Sequence, residues 1–276
     1  MTAKPFFIVS SGRSGTAMLH KLLSTFEGVE MQHEYAVQLI QPLAVRRYLG
    51  LCDADEARQV LAGTYGAALD YSLAQSWGDS SNKLSWLIPD LAALFPEAKF
   101  VHLVRDGRKV AGSYFRKLGA ECYDDRSTAL FQAFYDNAQN RRAPPPEKKY
   151  WWPVPRKGAS DAQAFRLYSQ FERIAWHWAE VNRVILRALE ALPEQRKMFV
   201  RLEDLRASPD VLEGLLHFLN LGYREADFAL LQRPHNVNRA QDCLLSPVER
   251  DAFDHVAGTM MQRLGYDGLA EYVVRY

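Results

Sequence analysis

The sequence predicts a three-layer α/β fold, a doubly wound sheet of mainly parallel strands flanked by helices. Three observations lead there. A short apolar run, Phe6-Phe7-Ile8-Val9, breaks into a glycine turn and then into apolar residues at helical spacing. The same pattern returns at residues 99–104, KFVHLV, which stop at Arg105-Asp106-Gly107 and lead into a second helix. Helical stretches join the two units, as parallel strands require. In such a sheet the ligand site lies outside the carboxyl ends of the strands.

Each element has its own justification. Four apolar residues are too few for a helix and suit a buried strand. After the turn, Met18, Leu19, Leu22, Leu23 and Phe26 recur with helical period. Gly28-Val29-Glu30-Met31 reads as a turn and a short extended piece, followed by Gln32-His33-Glu34-Tyr35. Residues 36–51 look helical with Pro42 near a bend, and residues 54–77 again alternate helically, with Leu61, Leu69 and Leu73 as core candidates. Asp79-Ser80-Ser81-Asn82 reads as a polar turn and Lys83-Leu84-Ser85-Trp86 as a short strand. Pro89 suits the first turn of a helix running to Phe95. Past the 99–104 strand, Val110, Ala111 and Tyr114 share one helix face.

A long helix then carries Phe171, Ile174, Ala175, Trp178, Val181, Ile185 and Leu189 along one stripe. Residues 198–202 form a third strand candidate. Ser208-Pro209 reads as cap and first position of a helix with Leu212, Leu215, Leu216 and Leu219. A polar loop at residues 235–239 and a helix from Pro247 complete the chain. One domain over residues 1–276 is expected, with an insertion at about 141–157.

Composition bounds the function. At 276 residues with 48% hydrophobic content the chain can bury a sizeable core. A net charge of +1 gives no global reason for a nucleic-acid or acidic-membrane partner, so any basic site must be local. Cys52, Cys122 and Cys243 are scattered without metal-ligand spacing and read as incidental thiols of a reducing compartment. No signal-type apolar run and no stretch of about eighteen apolar residues occurs, which makes a cytoplasmic location the expectation. No internal repeat is evident.

The chemistry concentrates in Ser10-Ser11-Gly12-Arg13-Ser14-Gly15-Thr16. A strand, a glycine turn and a helix start make an anion site, because backbone N–H groups and the positive end of the helix dipole face the ligand. Arg13 and the hydroxyls of Ser14 and Thr16 add to it. The nucleotide-triphosphatase pattern fails, since Gly12 and Gly15 are too close and no Lys follows Gly15. A hydrolase elbow fails on Thr16, which stands where its last glycine would be. The loop closely resembles the 5′-phosphosulfate loop of sulfotransferases. Arg105, followed eight residues on by Ser113, resembles that family's 3′-phosphate element. Arg201-Leu202-Glu203-Asp204-Leu205 with Ser208-Pro209 and Phe218-Leu219 resembles a third family segment, read as structural. Three motifs in family order identify a similarity to sulfotransferases that use 3′-phosphoadenosine 5′-phosphosulfate (PAPS).

The resemblance implies a P-loop-like form of the sheet, PAPS as donor, adenosine 3′,5′-bisphosphate as product, and no metal. It implies that Ser11, Gly12, Arg13, Ser14, Gly15, Thr16 and Ala17 hold the 5′-phosphosulfate and that Arg105 and Ser113 grip the 3′-phosphate. Arg13 would also stabilise charge on the leaving phosphate. Ala17 stands where the family often has a hydroxyl, and Met18 where the cytosolic phenol-and-steroid branch has a tryptophan against adenine. Arg13 in place of lysine resembles the bacterial and tyrosylprotein branches.

Two neighbours compete for the base that takes the acceptor's proton. Glu34 is preferred from the bacterial-type resemblance, and serves best where desolvation raises its pKa; His33 has the better unperturbed pKa. Lys83 resembles a family Lys/Thr region that touches the sulfate. Trp151 and Trp152, in the Pro-rich basic segment 141–157, offer stacking faces to an acceptor, either from a lid or from an exposed loop. His177 and His102 read as core histidines. The acceptor is a hydroxyl or amine of a small molecule, sugar or peptide, and the sequence distinguishes neither these nor the oligomeric state. The alternatives are a P-loop-type phosphotransferase and a nucleotide-binding homologue without turnover.

Overall fold

In the computed structural model, described for residues 3–232 and 244–271, one five-stranded sheet organises the chain. Strand β1 (Lys4–Val9) is its middle strand, and α1 (Thr16–Leu23) carries the chain to β2 (Val29–His33). Helices α2 (Val37–Leu49), α3 (Ala54–Leu61) and α4 (Ala67–Tyr71) follow before the chain re-enters the sheet as β3 (Ser76–Ser80). Then come α5 (Ile88–Leu94), β4 (Lys99–Val104) and α6 (Gly107–Leu118). The strand order is β2-β3-β1-β4-β5, where β5 is Lys197–Arg201, and every pairing is parallel.

Alternation along the strands divides the interior into two cores. Phe7 and Val9 of β1, with Phe100 and Val104 of β4, face α2, α3, α5, α6 and the long helix. Phe6 and Ile8, with Val101 and Leu103, face α1 and the helices that follow β5. Those strand residues are between 0% and 3% exposed, so a single β1 substitution from apolar to charged would be felt in one core or the other. This is the three-layer α/β arrangement that the motif pattern predicts.

Helix α7 (Asp125–Asp136) and the short α8 (Ala162–Leu167) bracket the segment at 141–157. The long helix α9 (Gln170–Glu190) starts with a full capping box between Ser169 and Glu172, and its predicted stripe is buried throughout. After β5 come α10 (Leu202–Ala207), α11 (Pro209–Phe218) and α12 (Glu225–Gln232), and α13 (Pro247–Arg263) packs on α9. The expected loop at 235–239 and Cys243 lie outside the described residues.

Three local expectations are corrected. Residues 83–86 are not a strand: Leu84–Trp86 form a 3-10 turn, and the strand lies just before it as Ser76–Ser80. Asp79 and Ser80, expected in a turn, therefore occupy the strand's carboxyl end. Asp79 is tolerated there because Tyr65 Oη donates to it at 2.8 Å and Tyr35 N at 3.3 Å. Tyr65 reaches it from a π-helical turn, Ala62–Gly66, between α3 and α4. The third correction is Leu73, a core candidate that is fully exposed beyond the end of α4.

Candidate active site

All predicted site residues except the tryptophans lie at or just beyond the carboxyl ends of strands, or on the helices that open there. The loop after β1 reaches α1 through two left-handed glycines, Gly12 at φ +83° and Gly15 at φ +98°. A Cβ on Gly15 would stand 2.8 Å from Leu202 Cδ1, and one on Gly12 would collide with the Tyr114 hydroxyl. Both positions combine a glycine conformation with a close approach. Ser14 Oγ donates to the Gly12 carbonyl at 3.0 Å, and Gly12 N donates to Ser10 Oγ at 3.0 Å. No side chain caps α1 and its first turn holds no acid, so its leading N–H groups favour an anion.

The two motifs meet in space although 92 and 100 residues separate the bonded pairs. Arg13 Nε donates to Ser113 Oγ at 3.0 Å, and Arg105 Nη1 donates to the Arg13 carbonyl at 3.2 Å. Arg105 Nε is buried without a hydrogen-bond partner among the described residues. Trp178 Nε1, on α9, donates to the Arg105 carbonyl at 3.2 Å and fixes the strand end. Asp106 caps α6 through Arg108 N at 2.9 Å, so the helix start needs nothing from Arg105. The third motif supports this corner: Glu203 accepts from Asp106 N at 3.0 Å and from Tyr266 Oη at 2.8 Å.

Beyond β3, Lys83 is 4% exposed and its Nζ makes no hydrogen bond among the described residues. It stands 4.9 Å from the centre of the Trp152 ring. Burial drives its pKa down to about 7, with Glu34 opposing and Lys148 adding to the fall. A buried amine of this kind, without a hydrogen bond of its own, favours an anion beside it. Around it lies a small cavity, with room for about one water molecule, lined by Asn82, Lys83, Trp86, Trp151, Trp152 and His177 among others.

His33 ends β2 and Glu34 follows it, at the neighbouring strand end. His33 Nδ1 lies 2.7 Å from the Ser80 carbonyl, which can only accept, so Nδ1 carries the proton and donates. Glu34 adopts φ +54°, and its carboxylate lies 4.0 Å from Lys148 Nζ. Burial acts to raise the Glu34 pKa, but Lys83, Lys148, His33 and Arg13 together outweigh it and lower the net value. The net direction runs against the rise that would make Glu34 a stronger base.

Trp151 and Trp152 are buried rather than part of an exposed loop, being 2% and 4% exposed. Trp151 Nε1 donates to the Pro145 carbonyl at 2.8 Å, and its ring meets Phe131 and Phe134 of α7 edge-on. Trp152 Nε1 donates to the Glu121 carbonyl at 2.6 Å. Both still line the cavity, as walls. His102 is a core histidine bonded to Asn182 at 2.8 Å. His177 is buried as well, yet it faces the cavity, which its sequence position between two tryptophans does not reveal. Among the described residues no group of histidine, cysteine, aspartate and glutamate gathers where a metal could sit. No described helix is long and apolar enough to cross a membrane.

An α/β enzyme that gathers cations and free backbone N–H groups at the head of a parallel sheet, where they favour an anion, is the class these features define. The sequence profile of the sulfotransferase family matches residues 5–150, and the chain belongs to that family, a transferase moving sulfuryl groups. Among curated proteins no sequence matches. Solved structures agree on the fold. The sulfotransferase domain from the curacin biosynthetic pathway superposes with TM-score 0.53 at 16% identity, over 97% of this chain and 99% of that one. A sulfotransferase from Alicyclobacillus acidocaldarius gives 0.54 at 13%, over 96% and 95%. The sulfotransferase domain of a Synechococcus olefin synthase gives 0.50 at 17%, over 94% and 95%.

Proposed function

We propose that the donor is PAPS and that the acceptor is a hydroxyl or amine of a small molecule, sugar or peptide admitted to the cavity beside Lys83. The observation that carries the donor reading is the contact of Arg13 with Ser113 and of Arg105 with the Arg13 backbone, which brings both phosphate motifs to one corner. The residues present fit a bisphosphorylated nucleotide: an uncapped helix start, a buried Arg105 Nε without a partner and a buried Lys83 Nζ without a partner.

On this reading the backbone of residues 12–17, with Ser11 and Ser14, holds the 5′-phosphosulfate, and Arg105 and Ser113 hold the 3′-phosphate. The bound donor supplies an activated sulfuryl group whose leaving oxygen is a phosphate oxygen. Arg13 faces the charge that collects on that oxygen, and Lys83 faces the sulfuryl oxygens. Both act as fixed electrostatic partners in a site sheltered from water, where such partners are strongest. Glu34 supports the charge on Lys83, and His33 holds the β2 and β3 ends together through Ser80. Trp86, Trp151 and Trp152 present flat apolar walls to the acceptor. The enzyme's place is proposed as the cytoplasm.

The test compares nucleotides by thermal shift. Adenosine 3′,5′-bisphosphate should stabilise the fold strongly and adenosine 5′-monophosphate far less, since a ligand that binds only the native state raises its stability in proportion to occupancy. Equal shifts from the two would remove the 3′-phosphate assignment.

A further inference from the structure

The turn after β3 carries two polar atoms without partners on neighbouring residues, and the donor reading uses only one of them. Lys83 Nζ faces the sulfuryl oxygens on that reading. The other atom is Asn82 Oδ1. Asn82 is 6% exposed, and its oxygen accepts no hydrogen bond among the described residues. A buried carbonyl oxygen left unsatisfied lowers stability, so packing alone does not account for it. Both residues line the same small cavity.

The neighbours fix which end of the amide points where. Tyr114 Oη lies 3.1 Å from the Ser11 carbonyl, which can only accept, so the phenol proton goes there. The Asn82 amide stands 3.2 Å from the same Oη and therefore presents its Nδ2 donor to it. That turns Oδ1 away from Tyr114. The turn itself is held to the middle of the sheet. Ser81 N donates to the Ile8 carbonyl at 3.0 Å, Lys83 N to Ser81 Oγ at 3.2 Å, and Ser85 Oγ to the Ser10 carbonyl at 2.8 Å. The amide also packs on the loop after β1, since a Cβ on Gly12 would stand 2.8 Å from Asn82 Nδ2. Asn82 thus sits between that loop and the cavity, with its oxygen held in place.

The chemistry of the two atoms restricts what can sit between them. An amide oxygen only accepts, and a lysine ammonium only donates. Phosphate and sulfuryl oxygens accept only, so Lys83 suits them and Asn82 Oδ1 repels them. A protonated amine would be repelled by Lys83 and would bring it no lone pair. A hydroxyl satisfies both, giving its proton to Asn82 Oδ1 and its lone pair to an N–H of Lys83. The other N–H groups of Lys83 remain for the sulfuryl oxygens. A cavity with room for about one water molecule has the size of that single group. We infer that Asn82 Oδ1 and Lys83 Nζ form the subsite for the acceptor's reacting hydroxyl, and that Asn82 selects an un-ionised, unhindered alcohol or phenol over an amine. The assignment rests on the reading above that the acceptor enters this cavity. An amide takes up no proton, so Asn82 recognises and orients the hydroxyl and is not the base.

Phenols serve as probes, on protein saturated with adenosine 3′,5′-bisphosphate. A crystal structure of the unaltered protein with 4-cresol should place the phenol oxygen at hydrogen-bond distance from Asn82 Oδ1, about 2.7–2.8 Å. An oxygen bound elsewhere, or no bound cresol, would overturn the subsite. Calorimetry then compares 4-cresol with 4-nitrophenol at about pH 8, where the first keeps its proton and the second has lost it. Asn82→Leu keeps the bulk and removes the oxygen. It should weaken 4-cresol roughly tenfold and leave ionised 4-nitrophenol bound as well or better. Asn82→Asp keeps an accepting oxygen in place, and should retain 4-cresol while weakening the ionised probe. Equal losses of both probes in N82L, which a merely structural role would give, or no loss of either, would overturn the assignment. If N82L does not fold, N82D and the crystal structure carry the decision. Absence of any bisphosphate thermal shift in the unaltered protein would overturn the PAPS reading, and the subsite with it. A normal shift with an unchanged preference between the phenols would overturn the subsite alone.

Discussion

Replacing Lys83 by methionine should make the protein more stable and less active, and the size of the gain should depend on pH in a defined direction. Lys83 is buried with no hydrogen bond to its ammonium, and its pKa falls from 10.5 to about 7. Because the folded pKa lies below the unfolded one, the unfolded chain binds more protons between pH 7 and pH 10.5. Stability from this group therefore rises with pH across that window, and the charging penalty is fully present below it. Each tenfold loss of proton affinity on folding costs about 1.4 kcal/mol, so the penalty at pH 6 is on the order of 5 kcal/mol. Methionine has similar length and no charge, and should recover much of that. Urea unfolding of both proteins at pH 6 and pH 9 measures it. The excess stability of K83M should shrink by about 3 kcal/mol over that span. Sulfuryl transfer should be lost at both pH values. An excess that is independent of pH, or a variant less stable at pH 6, would refute an uncompensated buried ammonium.

Three further outcomes follow from the geometry. Gly15→Ala should destabilise the fold by about 1–3 kcal/mol, because the left-handed backbone and the contact with Leu202 both oppose a side chain; thermal denaturation checks it. Trp152→Ala should cost about 3–5 kcal/mol, the value of a buried aromatic, where a tryptophan in an exposed loop would cost almost nothing. Arg13→Ala should cut turnover more than donor affinity, since backbone N–H groups still hold the 5′-phosphate. Saturated turnover equal to that of the unaltered protein would demote Arg13 to a positioning residue.

The parts legible in the sequence are those whose signal is local. Phe6 to Val9 and Lys99 to Val104 are apolar runs followed by glycine turns, and both are strands. The α9 stripe repeats at helical period and is buried as read. Strand β3 is hidden because SWGDS has one large apolar residue, and its polar end is satisfied by Tyr65, Tyr35 and His33 from elsewhere in the chain. Leu73 fits a helical period that the backbone abandons at Ser72. Trp151 and Trp152 lie in a basic, proline-rich stretch that composition assigns to the surface, whereas their partners come from α7 and from residues 114–123. His177 is obscured by its place on a core helix. Its contact with Tyr123, 54 residues away, exists only in the folded chain, as does the bond of that tyrosine to Pro153, 30 residues from it.

Labelled sulfate followed from PAPS into a panel of alcohols, phenols and amines tests the central claim most directly. The account predicts a labelled sulfate ester with at least one acceptor, formed in step with adenosine 3′,5′-bisphosphate. Release of the bisphosphate should stop when Arg13 and Lys83 are replaced together. Tight binding of PAPS with no transfer to any member of the panel would contradict it and leave a nucleotide-binding protein without turnover.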